Sequence, residues 1–108
     1  MALHYDGEVR IHKMVLGQWG TNSYLVACPR TGQAVLIDAP AEPEKVLTEA
    51  RGLDVKYILI THRHSDHIQA LAQLKEVLRV PVAAHPLDAP HLGVAVDLAL
   101  EHGSWVSF

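Results

Sequence analysis

A chain of 108 residues, 49% hydrophobic and 19% charged, suits one compact domain and is too evenly composed for disorder or a low-complexity tract. Its net charge of -3, with no run of Lys and Arg, argues against a nucleic-acid binder. The single Cys28 forbids an internal disulfide, the N-terminus lacks a signal-peptide pattern, and no apolar run approaches bilayer length. A soluble, cytoplasmic protein without membrane contact is therefore expected.

In chain order, Glu8 to Val15 alternates, with Val9 and Ile11 against Arg10 and His12, and predicts a strand with one wet face. Tyr24 to Cys28 reads as a second strand. Pro29-Arg30-Thr31-Gly32 is turn chemistry, and Ala34 to Ile37 returns as a third strand, making a hairpin. After Asp38 and the break Ala39-Pro40-Ala41-Glu42, Pro43 opens a helix with an apolar stripe of Val46, Leu47 and Ala50, which Gly52 stops. Tyr57 to Ile60 is a continuously apolar strand. Ile68 to Leu78 predicts an amphipathic helix, with Ile68, Leu71, Leu74 and Leu78 on one side. Pro81 to Ala84 is a short strand, and Val94 to Leu100 fits either a helix or an alternating strand. Ala34–Ile37 and Tyr57–Ile60 are apolar on both faces and call for cover on both sides, yet two helices cover only one.

Eight histidines are present, and three of them fall within six positions. Thr61-His62-Arg63-His64-Ser65-Asp66-His67 follows an apolar strand and opens a helix. In extended chain, residues two apart project together, so His62, His64 and Asp66 share a side until the helix turns His67 in beside them. Ligand sites in helix-flanked sheets gather at such carboxyl ends. Imidazole nitrogen with carboxylate oxygen suits zinc, and also iron or manganese. Isolated histidines are mostly structural or solvated, but a solvated loop has no need of this register. Ser65 or Asp66 is alternatively the N-cap of the helix near His67.

Thr61-His62-x-His64-x-Asp66-His67 resembles the T-H-x-H-x-D-H signature of the metallo-β-lactamase superfamily, whose members include glyoxalase II-type thioesterases. Thr21-Asn22-Ser23-Tyr24-Leu25-Val26 is similar to its N-x-Y-L-V strand, Leu36-Ile37-Asp38 to its strand ending in Asp, and Pro81 to Asp88 to the strand and turn after the metal helix. The resemblance implies that His62 and His64 bind a first metal and Asp66 and His67 a second, with up to two zinc ions. Asp66 would also orient the attacking water or handle its proton. It further implies that Asp38 orients the ligand loop; a turn-forming carboxylate ahead of Pro40 is the competing reading. Three departures stand out. Ile68-Gln69-Ala70 replaces the frequent x-Gly-Gly, Asp38-Ala39-Pro40 replaces Asp-x-Gly, and no G-H-[ST] segment supplies the family's later ligands. His85, His91 and His102 are read as surface or turn residues.

The implied fold is α/β, residues 1–108 forming one domain that is half of an αββα sandwich: a mixed sheet with helices on one face. The open sheet face then requires a second copy in a homo-oligomer or a missing C-terminal half. The implied function is metal-dependent hydrolysis of a thioester or similar small-molecule substrate. The alternatives are a catalytically incomplete metal-binding half and an iron-dependent redox protein.

Overall fold

A computed structural model of the chain describes residues 3–6 (as backbone), 8–61, 68–101 and 103–104. The described strands are β1 (Leu3–Asp6), β2 (Arg10–Leu16), β3 (Thr21–Ala27), β4 (Gln33–Ile37), β5 (Asp54–Ile60), β6 (Val82–Ala84) and β7 (Leu98–Ala99). They form one mixed sheet in the order β1 to β7. The first four pair antiparallel, and β5, β6 and β7 continue from β4 in parallel. Helix α1 (Pro43–Glu49) lies between β4 and β5 in sequence, and helix α2 (Leu71–Leu78) lies between β5 and β6.

Local chemistry explains the connections. The β2–β3 turn has positive φ at Gly17 and Gly20. A Cβ at Gly17 would sit 3.1 Å from that of Ala41, so glycine lets the hairpin approach the chain before α1. The β3–β4 turn closes with Gly32 N–H donating to Cys28 O at 2.9 Å. Pro43 occupies the first turn of α1, where a missing N–H costs nothing. Glu42 immediately precedes that helix, and its side chain makes no cap hydrogen bond to the helix end. Instead its carboxylate accepts from Gly17 N–H at 2.9 Å and pairs with Lys45 at 2.8 Å. These two partners, Gly17 first, hold Glu42 below the usual carboxylate range.

The core lies on one face of the sheet. Met14, Leu16, Leu25, Leu36, Ile58, Ile60, Val82 and Ala84 pack there with Val46 and Ala50 of α1 and Leu71 and Leu74 of α2. One sequence expectation is reversed here. His12 was placed on the wet face of its strand with Arg10. In β2, however, Met14 and Leu16 are buried and Val15 is 60% exposed, so His12 shares parity with the core side. Its Nδ1 lies 2.6 Å from Glu49 Oε2, at the end of α1. Met14 and Leu16 decide which side takes the helix, and Ile11 is left on the other.

That other face is also apolar. By register, Tyr24, Ile37, Leu59, Ala83 and Leu98 make one row across five strands. Ile11, Val26, Val35 and Tyr57 make a second row. The buried residues of both described helices belong to the opposite core. The sheet is thus built for cover on two sides and has described helices on one. The ambiguous stretch Val94 to Leu100 contains the short strand β7, not a helix. Asp97 fixes it, accepting from Val82 N–H at 2.9 Å and Lys75 Nζ at 3.1 Å.

Leu36 is fully buried in β4, whereas Leu87 is 74% exposed. Leu36→Ala is expected to lower the free energy of unfolding by about 2–5 kcal/mol. Leu87→Ala should change it by less than about 0.5 kcal/mol. Denaturant titration of the three proteins checks this.

Candidate metal centre

The parallel strands β4, β5 and β6 finish at Ile37, Ile60 and Ala84, so Asp38, Thr61 and His85 follow at the same edge of the sheet. The residue after β4 does not continue extended. Asp38 takes φ 63, a left-handed conformation in which Asp is among the better-tolerated residues. Such a backbone costs on the order of 1 kcal/mol and persists only where its surroundings fix it. Asp38 N–H donates to Leu59 O at 2.8 Å, and Asp38 O accepts from Ser23 Oγ at 2.8 Å. With the main chain so held, the side chain reaches β5. Asp38 Oδ1 accepts from Thr61 N–H at 2.8 Å, and Oδ2 accepts from Thr61 Oγ1 at 2.6 Å. Both carboxylate oxygens of a residue only 5% exposed engage the residue before His62. The turn at Asp38 is what aims its carboxylate at Thr61.

The next residue holds the far side of the same segment. Ala39 O accepts from Ala70 N–H at 2.8 Å, and Ile68 packs against the core. Two consecutive residues, Asp38 and Ala39, thus tie down the chain on both sides of positions 62–67. The candidate ligands His62, His64, Asp66 and His67 lie outside the described residues. Among the described residues, no group of three or more His, Cys, Asp or Glu is disposed to hold a metal. The centre expected from the sequence rests on the 62–67 segment. Its donor set fits: three imidazoles and a carboxylate, without thiolate, match zinc and also accommodate iron or manganese.

A sequence profile described as the metallo-beta-lactamase superfamily matches residues 16–100. The chain belongs to this superfamily. A hydroxyacylglutathione hydrolase from Bradyrhizobium sp. strain BTAi1 is 37% identical over 97 residues, covering 89% of this chain and 36% of the relative. The chain therefore spans about a third of the length of such relatives. Among solved structures, BLEG-1 B3 metallo-beta-lactamase superposes with TM-score 0.81 at 21% identity, over 90% of this chain and 56% of that one. This similarity concerns the fold. TTHA1623, crystallised in a di-iron-bound form, is 37% identical with TM-score 0.70, over 87% of this chain and 56% of that one. The mixed sheet with helices on one face agrees with the expected half of the superfamily's αββα sandwich.

Within this superfamily member, the two departures around Asp38 and Ala70 acquire a structural setting. Ala39 and Pro40 are both buried, and Ala70 is buried where its N–H meets Ala39 O. His85 is exposed, and its Nδ1 accepts from Leu87 N–H at 3.1 Å in a turn, while His91 is exposed in a short 3-10 helix (Ala89–His91). His102 lies outside the described residues. Sequence reasoning missed Ser23, whose hydroxyl meets the Asp38 corner. The only signal was a polar residue on the side of the strand that carries Leu25 and Ala27. A groove of about 520 Å³ against β2 and α1, lined by Lys13, Met14, Glu44, Thr48 and Glu49 among others, includes neither Asp38 nor Thr61. No described helix is long and apolar enough to cross a membrane.

Cys28, beside the β3–β4 turn, has its pKa lowered from 9.0 to about 7, first by the Thr31 hydroxyl, then by backbone N–H groups of Thr31 and Arg30. Hydrogen bonds that favour the thiolate act in this direction. The rate of alkylation of Cys28 by iodoacetamide is expected to rise with pH with a midpoint near 7. Thr31→Val should move that midpoint upward, toward an ordinary thiol; an unchanged midpoint contradicts the assignment.

Proposed function

We propose that this chain is the metal-binding portion of a metallo-hydrolase that cleaves a thioester or similar small ester-like substrate. The observation that carries the reading is that the chain flanking positions 62–67 is tethered at Thr61 to Asp38 and at Ala70 to Ala39. Its T-H-x-H-x-D-H sequence has the donors for a divalent cation. Relatives named hydroxyacylglutathione hydrolases support the substrate class.

When bound, the metal supplies a water of lowered pKa and a Lewis acid for the substrate carbonyl oxygen. His62 and His64 would hold a first ion, while Asp66 and His67 would hold a second. Asp66, as a carboxylate, would also orient the water and receive its proton. Asp38 would act through Thr61, fixing the main chain that carries His62. Zinc is the metal proposed. The di-iron-bound neighbour supports iron as the alternative, and with iron a redox role. A catalytically incomplete metal-binding half is the remaining reading, consistent with a span of about a third of the relatives. For the apolar second face of the sheet, we propose cover by a second copy of the chain or by further chain of the same protein.

Metal analysis by mass spectrometry together with a thioester and ester panel tests the proposal. The expected result is stoichiometric zinc and turnover, with His64→Ala lowering turnover by at least about a hundredfold, beyond the range typical of residues behind the ligands. Stoichiometric metal without turnover would favour the incomplete half. Bound iron with oxygen uptake would favour the redox reading. Absence of metal uptake would defeat all three.

A further inference from the structure

Ser23 sits in β3, opposite Met14 of β2 and one residue beyond the Tyr24–Ile37 pair, where the β3–β4 ladder stops. It is fully buried, one of two buried polar residues among those described, and the other is Asp38. Its Oγ lies 2.8 Å from Asp38 O and 3.2 Å from Ile37 O. A hydroxyl has one proton, so it serves one carbonyl at a time, and the shorter contact marks Asp38 as the principal acceptor. The bond falls where regular pairing has ended and the backbone has turned left-handed at φ 63. In place of a ladder partner, a side chain fixes the orientation of the Asp38 peptide. That peptide in turn sets where the Asp38 carboxylate and the Ala39 carbonyl point, and these hold Thr61 and Ala70.

We propose that Ser23 is a positioning residue for the metal-binding segment 62–67, acting through the Asp38–Ala39 corner. The proposal rests on the metal reading above and adds to it a residue outside the signature. Ser23 touches neither metal nor substrate. Its hydroxyl locks the corner that holds Thr61 and Ala70, the described residues flanking the segment. A purely structural hydroxyl would stabilise the sheet generally; a positioning hydroxyl acts selectively on Thr61, Ala70 and the metal.

The test uses the full 108-residue chain and zinc ion alone, with affinity measured by chelator competition and amide exchange followed without metal. Ser23→Ala is expected to weaken zinc about tenfold, the low end of the range for residues behind the ligands. It should also speed exchange of the Thr61 and Ala70 amides more than that of Leu36 and Ile58 in the sheet. Because both residues act through Asp38, Ser23→Ala combined with Thr61→Val should lose no more affinity than the larger single loss, whereas independent effects multiply. If Ser23→Ala does not fold, Ser23→Cys, of similar size and with a weak donor, should show the same pattern. Uniformly faster exchange with zinc affinity unchanged overturns the role of Ser23 and leaves the metal reading standing. A parent chain that takes up no zinc overturns both.

Discussion

The left-handed corner at Asp38 is the constraint on which the rest of the candidate site depends. Parallel strands β4 and β5 end side by side, so the residues that follow them are neighbours, but adjacency alone does not fix a loop. The corner does so by turning the chain at once, which leaves the Asp38 carboxylate facing β5 and the Ala39 carbonyl facing the approach to α2. A backbone conformation that is unfavourable in isolation is sustained by the bond that Asp38 N–H donates to Leu59 O and the bond that Asp38 O accepts from Ser23. Thr61 and Ala70, the described residues on either side of positions 62–67, are thus held by the sheet through Asp38 and Ala39.

Under the proposed reading, metal affinity would come from two sources. The donors provide the bonds, and the scaffold lowers the conformational entropy lost when several side chains converge on one ion. His62 follows directly on a residue gripped by two carboxylate oxygens, and Ile68 is packed into the core immediately after His67. The four proposed donor residues fall within six positions. A fixed frame on both sides of them is what the proposed hydrolytic reading would require, since a bound water must meet a substrate carbonyl in a fixed orientation.

Much of this was legible in the sequence because its signals are local. The apolar runs at Ala34–Ile37 and Tyr57–Ile60, the Pro43 start of α1 and the turn at Gly32 each depend on neighbours in the chain. The histidine cluster and Asp38 were legible as motif residues. The contacts that join them were not. Nothing local in Thr21-Asn22-Ser23-Tyr24 says that the Ser23 hydroxyl meets Asp38, fifteen residues away. His12 was misplaced for a related reason. With apolar residues on both sides of β2, alternation alone cannot choose the helix-bearing side, and Met14 and Leu16 made that choice through packing with α1. Cover for the second face is likewise a question of tertiary or quaternary structure, and only its need was readable from the pattern of the strands.

X-ray absorption at the zinc edge of the loaded chain tests the central claim most directly. The account predicts a first shell of nitrogen and oxygen at about 2.0–2.1 Å with outer-shell scattering from imidazole rings. A sulfur shell near about 2.3 Å, which would assign the metal to Cys28, or an oxygen-only shell without imidazole would contradict it.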